Sequence, residues 1–182
     1  AKFVENEVLK QVSLLSLKED LIDRNAPRAE KQSHSLTQIF TSTESKLIKS
    51  ALEVGKVVHG IKLPKFAGLL KKEVSPARRF GTELADYARS VGASGLFHSD
   101  ELPAYGITFD ELMRIRAALS LTDKDGFVLI VDTKEVCEKA LNIVVDRINL
   151  AFEKLPFETR KANSDGTTSY IRPLPGGARM YP

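Results

Sequence analysis

Between residues 4 and 23, Val8, Val12 and Leu15 recur at helical spacing, and Leu14, Leu17 and Leu21 widen the apolar stripe, which predicts a long amphipathic helix. Residues 24–35 lose that period, carry Pro27 and are mostly polar, so they read as a linker. A short strand is expected from Leu36 to Phe40. Thr41-Ser42-Thr43-Glu44 has the form of a capping box and predicts a helix to Val54, stopped by Gly55. Val57, His59, Ile61 and Leu63 then alternate with Val58, Gly60 and Lys62, which predicts a strand ending at Pro64.

Residues 64–79 follow no period and read as a long loop, a kind of segment that in compact domains often carries function. A helix is expected from Phe80 to Val91, with Gly92 as its stop, and a short strand from Gly95 to His98. Thr108 and Glu111 form a second capping box, with Ile107 and Leu112 placed as a hydrophobic staple, so a helix runs to Leu119. Phe127 to Val131 is a continuous apolar strand, central in its sheet, and Asp132 is expected to cap the next helix. That helix carries Val136, Ala140, Ile143, Val144, Ile148, Ala151 and Leu155 on a broad apolar face, and Thr167 to Ile171 is the last expected strand. This order implies an α+β fold: a mainly antiparallel sheet, with a mixed sheet as the alternative, and helices packed on one face.

Composition narrows this picture. The chain of 182 residues suits one domain with flanking pieces, and 42% hydrophobic residues suffice for a core. A net charge of +3 does not by itself mark a nucleic-acid binder, because the local distribution of charge matters more. The single cysteine, Cys137, excludes an internal disulfide and fits a reducing, cytoplasmic setting. No apolar run approaches the roughly 20 residues that span a bilayer, and no signal peptide opens the chain. The sequence starts at Ala1 without Met, so a piece of a longer protein is expected.

Two stretches concentrate chemistry. The first is His98-Ser99-Asp100-Glu101, directly after an apolar strand and before Pro103. In extended chain His98 and Asp100 share a side, as an acid–base pair or part of a metal site would require. The alternative is structural: Ser99 and Asp100 satisfy the amides of the turn before Pro103. The second stretch holds Lys56, Lys62, Lys65, Lys71, Lys72, Arg78 and Arg79, with Glu73 as its lone acid. It reads either as a phosphate-contacting patch, with Lys65, Lys71, Lys72, Arg78 and Arg79 as the contacts, or as a solvated lysine-rich loop. Arg78 and Arg79 could instead clamp Asp100 and Glu101. Phe66 and Phe80 fit either stacking or core. Asp123-Lys124-Asp125-Gly126 lacks the later ligands of a calcium loop and reads as a turn, and Gly55-Lys56 is no P-loop. Cys137 reads as a small packed residue. Asp165-Gly166 is a turn signal, and Arg172 to Gly177 an extended exit.

Several of these residues also form a pattern. Leu63-Pro64, Gly68-Leu69-Leu70, Glu73, Pro76, the run Arg78 to Ala88, Phe97 to Ile107 and Asp165 to Pro182 together resemble the E-subunit family of archaeal glutamyl-tRNA(Gln) amidotransferases. Ser99 stands where Thr is expected, and Gly177 where Ala is usual. The resemblance implies a GAD-like core at about 95–172, shared with bacterial-type aspartyl-tRNA synthetases. It further implies an insertion module at 35–172, with 1–34 and 173–182 as flanks from a parent catalytic domain, meeting on one side of the module. The parent would be an ATP-dependent ligase converting Glu-tRNA(Gln) to Gln-tRNA(Gln). Its partners would be tRNA(Gln) and an amidase- or asparaginase-like subunit that supplies ammonia. ATP and Mg would sit in the parent's catalytic domain, with no cofactor and no catalytic residue in this fragment. The competing expectations are a spacer or protein-contact domain without tRNA contact, and a small enzyme built on His98, Asp100 and Glu101.

Overall fold

The computed structural model describes residues 2–153 and two short backbone strands at 160–162 and 168–170, with side chains described over 7–153. The turn expected at Asp165-Gly166 and the exit and return segment to Pro182 lie outside the described residues, and so does the expected meeting of the two flanks. In chain order the elements are α1 (Lys2–Asp23), β1 (His34–Ser35), α2 (Lys46–Glu53), β2 (Val57–Leu63), β3 (Glu73–Ser75), β4 (Arg78–Arg79), α3 (Phe80–Ser90), β5 (Gly95–His98), α4 (Phe109–Ala118), β6 (Gly126–Asp132), α5 (Lys134–Leu150), β7 (Arg160–Ala162) and β8 (Thr168–Tyr170).

A four-stranded sheet in the order β1-β2-β6-β5 forms the centre, and every neighbouring pair is antiparallel. β3 pairs with β4, and β7 with β8, as separate hairpins. The α+β class therefore stands, but helices cover both faces of the sheet rather than one. On one face Ile61, Leu63, Leu96, Val128 and Ile130 pack with α1, α3 and α5. On the other, Val58, Phe97, Phe127, Leu129 and Val131 pack with α2, α4 and a 3₁₀ turn at Thr37–Phe40. The reason is in β6. It has no polar alternation, all seven of its residues are buried, and a strand apolar on both sides needs a cover on both.

Other expectations shift locally. Leu36 to Phe40 is not a strand: Leu36 leads into the 3₁₀ turn, and both Leu36 and Phe40 are buried. The pairing residues are His34 and Ser35, against Gly60 and His59. Gly60 lacks the Cβ that would collide with Leu36, so the turn can close over β2. The N-cap of α2 is Ser45, whose hydroxyl accepts from the Ile48 N–H, and Thr43 in turn holds the Ser45 N–H. The capping box predicted one turn earlier does not form. Thr133, not Asp132, caps α5, because Asp132 is the last residue of β6 and its carboxylate faces Ser94 and Lys56. The capping box of Thr108 and Glu111 forms as predicted.

Residues 24–33 are less free than a linker. The Arg24 guanidinium donates to the carbonyls of Lys65 and Ala67, and Asn149 of α5 both accepts from the Ala29 N–H and donates to the Ala29 carbonyl. The C-terminal half of α1 buries Leu14, Leu17 and Leu21, while Val8, Leu9 and Val12 stay exposed.

Candidate functional site

The segment after β5 spends its polar atoms on the fold. Extended geometry ends at His98, and Ser99–Glu101 curl into a 3₁₀ turn, which removes the shared side predicted for His98 and Asp100. Ser99 Oγ accepts from the Phe127 N–H at 3.1 Å. Asp100 accepts three backbone N–H groups, from Gly68 at 2.9 Å, Leu70 at 2.8 Å and Lys71 at 3.1 Å. Glu101, not Asp100, meets the imidazole: its Oε2 lies 2.9 Å from His98 Nε2. The amides held are thus mostly those of a distant loop, whereas the turn before Pro103 closes through the Leu102 N–H to the Ser99 carbonyl. His98 is buried, its Nδ1 has no partner among the described residues, and Gly81 of α3 leaves the room that its ring fills.

The cationic stretch is not one loop but a packed strap. Phe66, Leu69, Leu70 and Val74 point into the core, and Phe66 stacks on Phe80 with ring centroids 6.4 Å apart, so both aromatics are core. Between these anchors β3 and β4 form a hairpin. The strap's five candidate contacts separate into two groups. Lys72 pairs with Asp20 of α1, and Arg78 pairs with Asp86 of α3. Lys65, Lys71 and Arg79 carry no side-chain ion pair among the described residues, and Lys71 and Arg79 are exposed. Arg78 and Arg79 do not reach Asp100 or Glu101.

Three polar arrangements were not foreseen. Arg147, buried on α5, pairs with the partly buried Glu83 of α3, Nε to Oε1 at 2.6 Å, with the guanidinium 5.1 Å above the Phe80 ring. The signal was present: Arg147 stands inside the apolar stripe between Val144 and Ile148, where a charge needs a partner. Asp125 accepts the N–H groups of Lys65 and Thr122. Burial by itself would raise its carboxyl, but these donors and nearby Lys62 outweigh that and hold its pKa below the usual value. Asp132 behaves alike: burial opposes, and Ser94, the Thr133 N–H and Lys56 prevail. Burial pushes the Cys137 thiol up to about 11, so it is an inert packed side chain. Among the described residues, no three His, Cys, Asp or Glu side chains gather where they could hold a metal ion. No helix there is long and apolar enough to cross a membrane.

A two-faced antiparallel sheet whose central strand is wholly buried, with a cationic strap outside, defines a small α+β module. The chain belongs to the GAD domain family, which matches residues 48–141, from α2 to the first half of α5. Three curated relatives are each the E subunit of a glutamyl-tRNA(Gln) amidotransferase. That of Methanopyrus kandleri is 47% identical over the whole chain, that of Methanococcus maripaludis 46% over the whole chain, and that of Saccharolobus islandicus 48% over 98% of it. The chain spans 29% of the length of each.

Proposed function

We propose that this chain is the GAD-containing part of an amidotransferase E subunit that converts Glu-tRNA(Gln) to Gln-tRNA(Gln), and that it serves the reaction without performing chemistry. Similarity along the entire chain to the E subunits of such enzymes is the observation that carries the reading. In it, ATP and Mg bind elsewhere in the parent, an amidase-like partner subunit supplies ammonia, and the setting is cytoplasmic. The non-catalytic role is supported by the turn at Ser99–Glu101: Ser99 and Asp100 hold backbone N–H groups, and Glu101 is paired to His98. No nucleophile with a base and an orienting group stands there.

The tRNA-facing surface, in this proposal, is the outer side of the strap, with Lys65, Lys71 and Arg79 as the cations open to phosphate. Lys72 and Arg78 are already neutralised and contribute less. Phosphate contacts position a protein without reading sequence. In the intact enzyme, Lys71→Ala with Arg79→Ala should therefore weaken binding of every tRNA alike. The slope of log affinity against log salt should flatten by roughly 0.7 to 0.9 per lost contact. An unchanged slope would leave the module as a spacer or protein-contact domain. Amidation of Glu-tRNA(Gln) by the intact protein with its partner tests the parent activity.

A further inference from the structure

Three cations from separate parts of the chain meet beside the C-terminal end of α1. A groove of about 480 Å³ there is lined by Arg24, Lys65 and Lys124, together with Asp23, Ala67 and Asp123. Hydrogen bonds tie its walls together. Arg24 Nη1 donates to the carbonyls of Lys65 at 3.0 Å and Ala67 at 2.6 Å. The Ala67 N–H donates to the Lys124 carbonyl at 3.1 Å, and the Lys65 N–H to the Asp125 carboxylate at 2.9 Å. Both bonds of Arg24 use Nη1, so its N–H groups on Nε and Nη2 meet no protein partner among the described residues. Lys65 and Lys124 form no side-chain ion pair there either. Asp123 is engaged by Arg116, 3.5 Å away, so within the groove Asp23 is left to balance three cations.

We propose that this groove seats a backbone phosphate of the bound tRNA, with Arg24 and Lys124 as contacts beside Lys65. The inference rests on the reading of the chain as part of a tRNA-dependent amidotransferase and fixes where that contact is made. Like charges held close together repel, and in a concave site their fields add, so an anion relieves the repulsion. The Nε–Nη2 edge of a guanidinium matches two oxygens of one phosphate, and the two ammonium groups add point charges beside it. The carbonyl clamp holds the Arg24 fork in place before any ligand arrives, which lowers the ordering cost of binding. The lining also selects the class of ligand. It is charged side chains and Ala67, without the aromatic or large aliphatic anchors that a protein partner uses. Lys65 begins the strap that carries Lys71 and Arg79, so groove and strap make one cationic surface, which suits a repeating polyanion.

The test uses the intact subunit with its partner and tRNA(Gln). Lys124→Ala removes a groove cation whose side chain bonds to nothing else among the described residues. Arg24→Gln removes the charge and leaves an amide to donate to the clamped carbonyls. Each should flatten the slope of log affinity against log salt by roughly 0.7 to 0.9, and Lys124→Arg should restore it. Phosphate-ethylation interference should lose the same short stretch of tRNA backbone in both variants, and a different stretch in Lys71→Ala with Arg79→Ala. If Arg24→Gln fails to fold, Lys124→Ala and Lys124→Arg decide alone. An unchanged slope and an unchanged interference pattern in Lys124→Ala overturn the groove as a phosphate seat. A slope still flattened by Lys71→Ala with Arg79→Ala would then keep the tRNA reading without it, and a slope indifferent to both sets would end both. Two further results also overturn the proposal. One is displacement of tRNA by millimolar inorganic phosphate at constant ionic strength, abolished by Lys124→Ala, which makes the groove a site for free phosphate. The other is loss of the partner subunit from Lys124→Ala with the salt slope intact, which makes it a protein contact.

Discussion

The turn at His98–Glu101 and the strap from Lys65 to Arg79 are equally conspicuous in the sequence, yet the fold uses them in opposite ways. In the turn, the polar atoms point inward and the backbone depends on them. In the strap, apolar residues point inward and cations point out. The two are joined: the Asp100 carboxylate holds the Gly68, Leu70 and Lys71 amides, so the inward cluster sets the shape of the segment that displays the outward one. A concentration of titratable residues therefore says little until the partners of each polar atom are known. Where they are occupied by backbone, as at Asp100, the residue is structural. Where they are open, as at Lys71 and Arg79, it is available to a ligand.

The sharpest way to break this contrast is to remove an inward charge partner. Glu83→Ala leaves the buried Arg147 guanidinium without its carboxylate, and a loss of about 3–5 kcal/mol is expected in chemical denaturation. Asp100→Ala strips an acceptor from three N–H groups. A cost of about 3 kcal/mol is expected, read as a lower denaturation midpoint, with Asp100→Asn keeping part of the stability. Gly81→Ala places a methyl against the His98 ring, and overpacking of that kind costs about 1–3 kcal/mol. Its melting temperature should fall by several degrees.

Outward substitutions should behave differently. Lys71→Ala and Arg79→Ala should each stay within about 0.5 kcal/mol of the parent chain, while the neutralised Lys72→Ala should cost up to about 1 kcal/mol through its lost pairing with Asp20. A Lys71→Ala variant that melts as early as Asp100→Ala would dissolve the distinction between the two regions. The smallest effect concerns pH. Asp125 and Asp132 have folded pKa values below 3.8, so their contribution is fully present above about pH 4 and is lost as pH falls through the lowered values. His59 is depressed from 6.5, first by burial and then by Lys134, against Glu138, so it favours the fold above 6.5 and weakens it as pH drops below. The acid midpoint of unfolding for Asp125→Asn, compared with His59→Gln, separates the two contributions.

Local information was enough wherever one residue's neighbours in sequence are also its partners in space. The capping box of Thr108 and Glu111, the glycine stops at Gly55 and Gly92, and the alternation of β2 all involve contacts within a few residues. The unbroken apolar run of β6 likewise fixed its central place in the sheet, and it contained, unused, the reason why helices cover both faces. Tertiary structure alone decided the rest. Thr37 to Phe40 form a 3₁₀ turn that closes over β2, where Gly60, distant in sequence, leaves room for Leu36. Asp100 went to the 68–71 amides, Glu101 to His98, and Arg78 to Asp86, since a charged or hydrogen-bonding side chain takes whichever complementary atom the packed backbone brings within about 3 Å, and sequence spacing does not encode that distance.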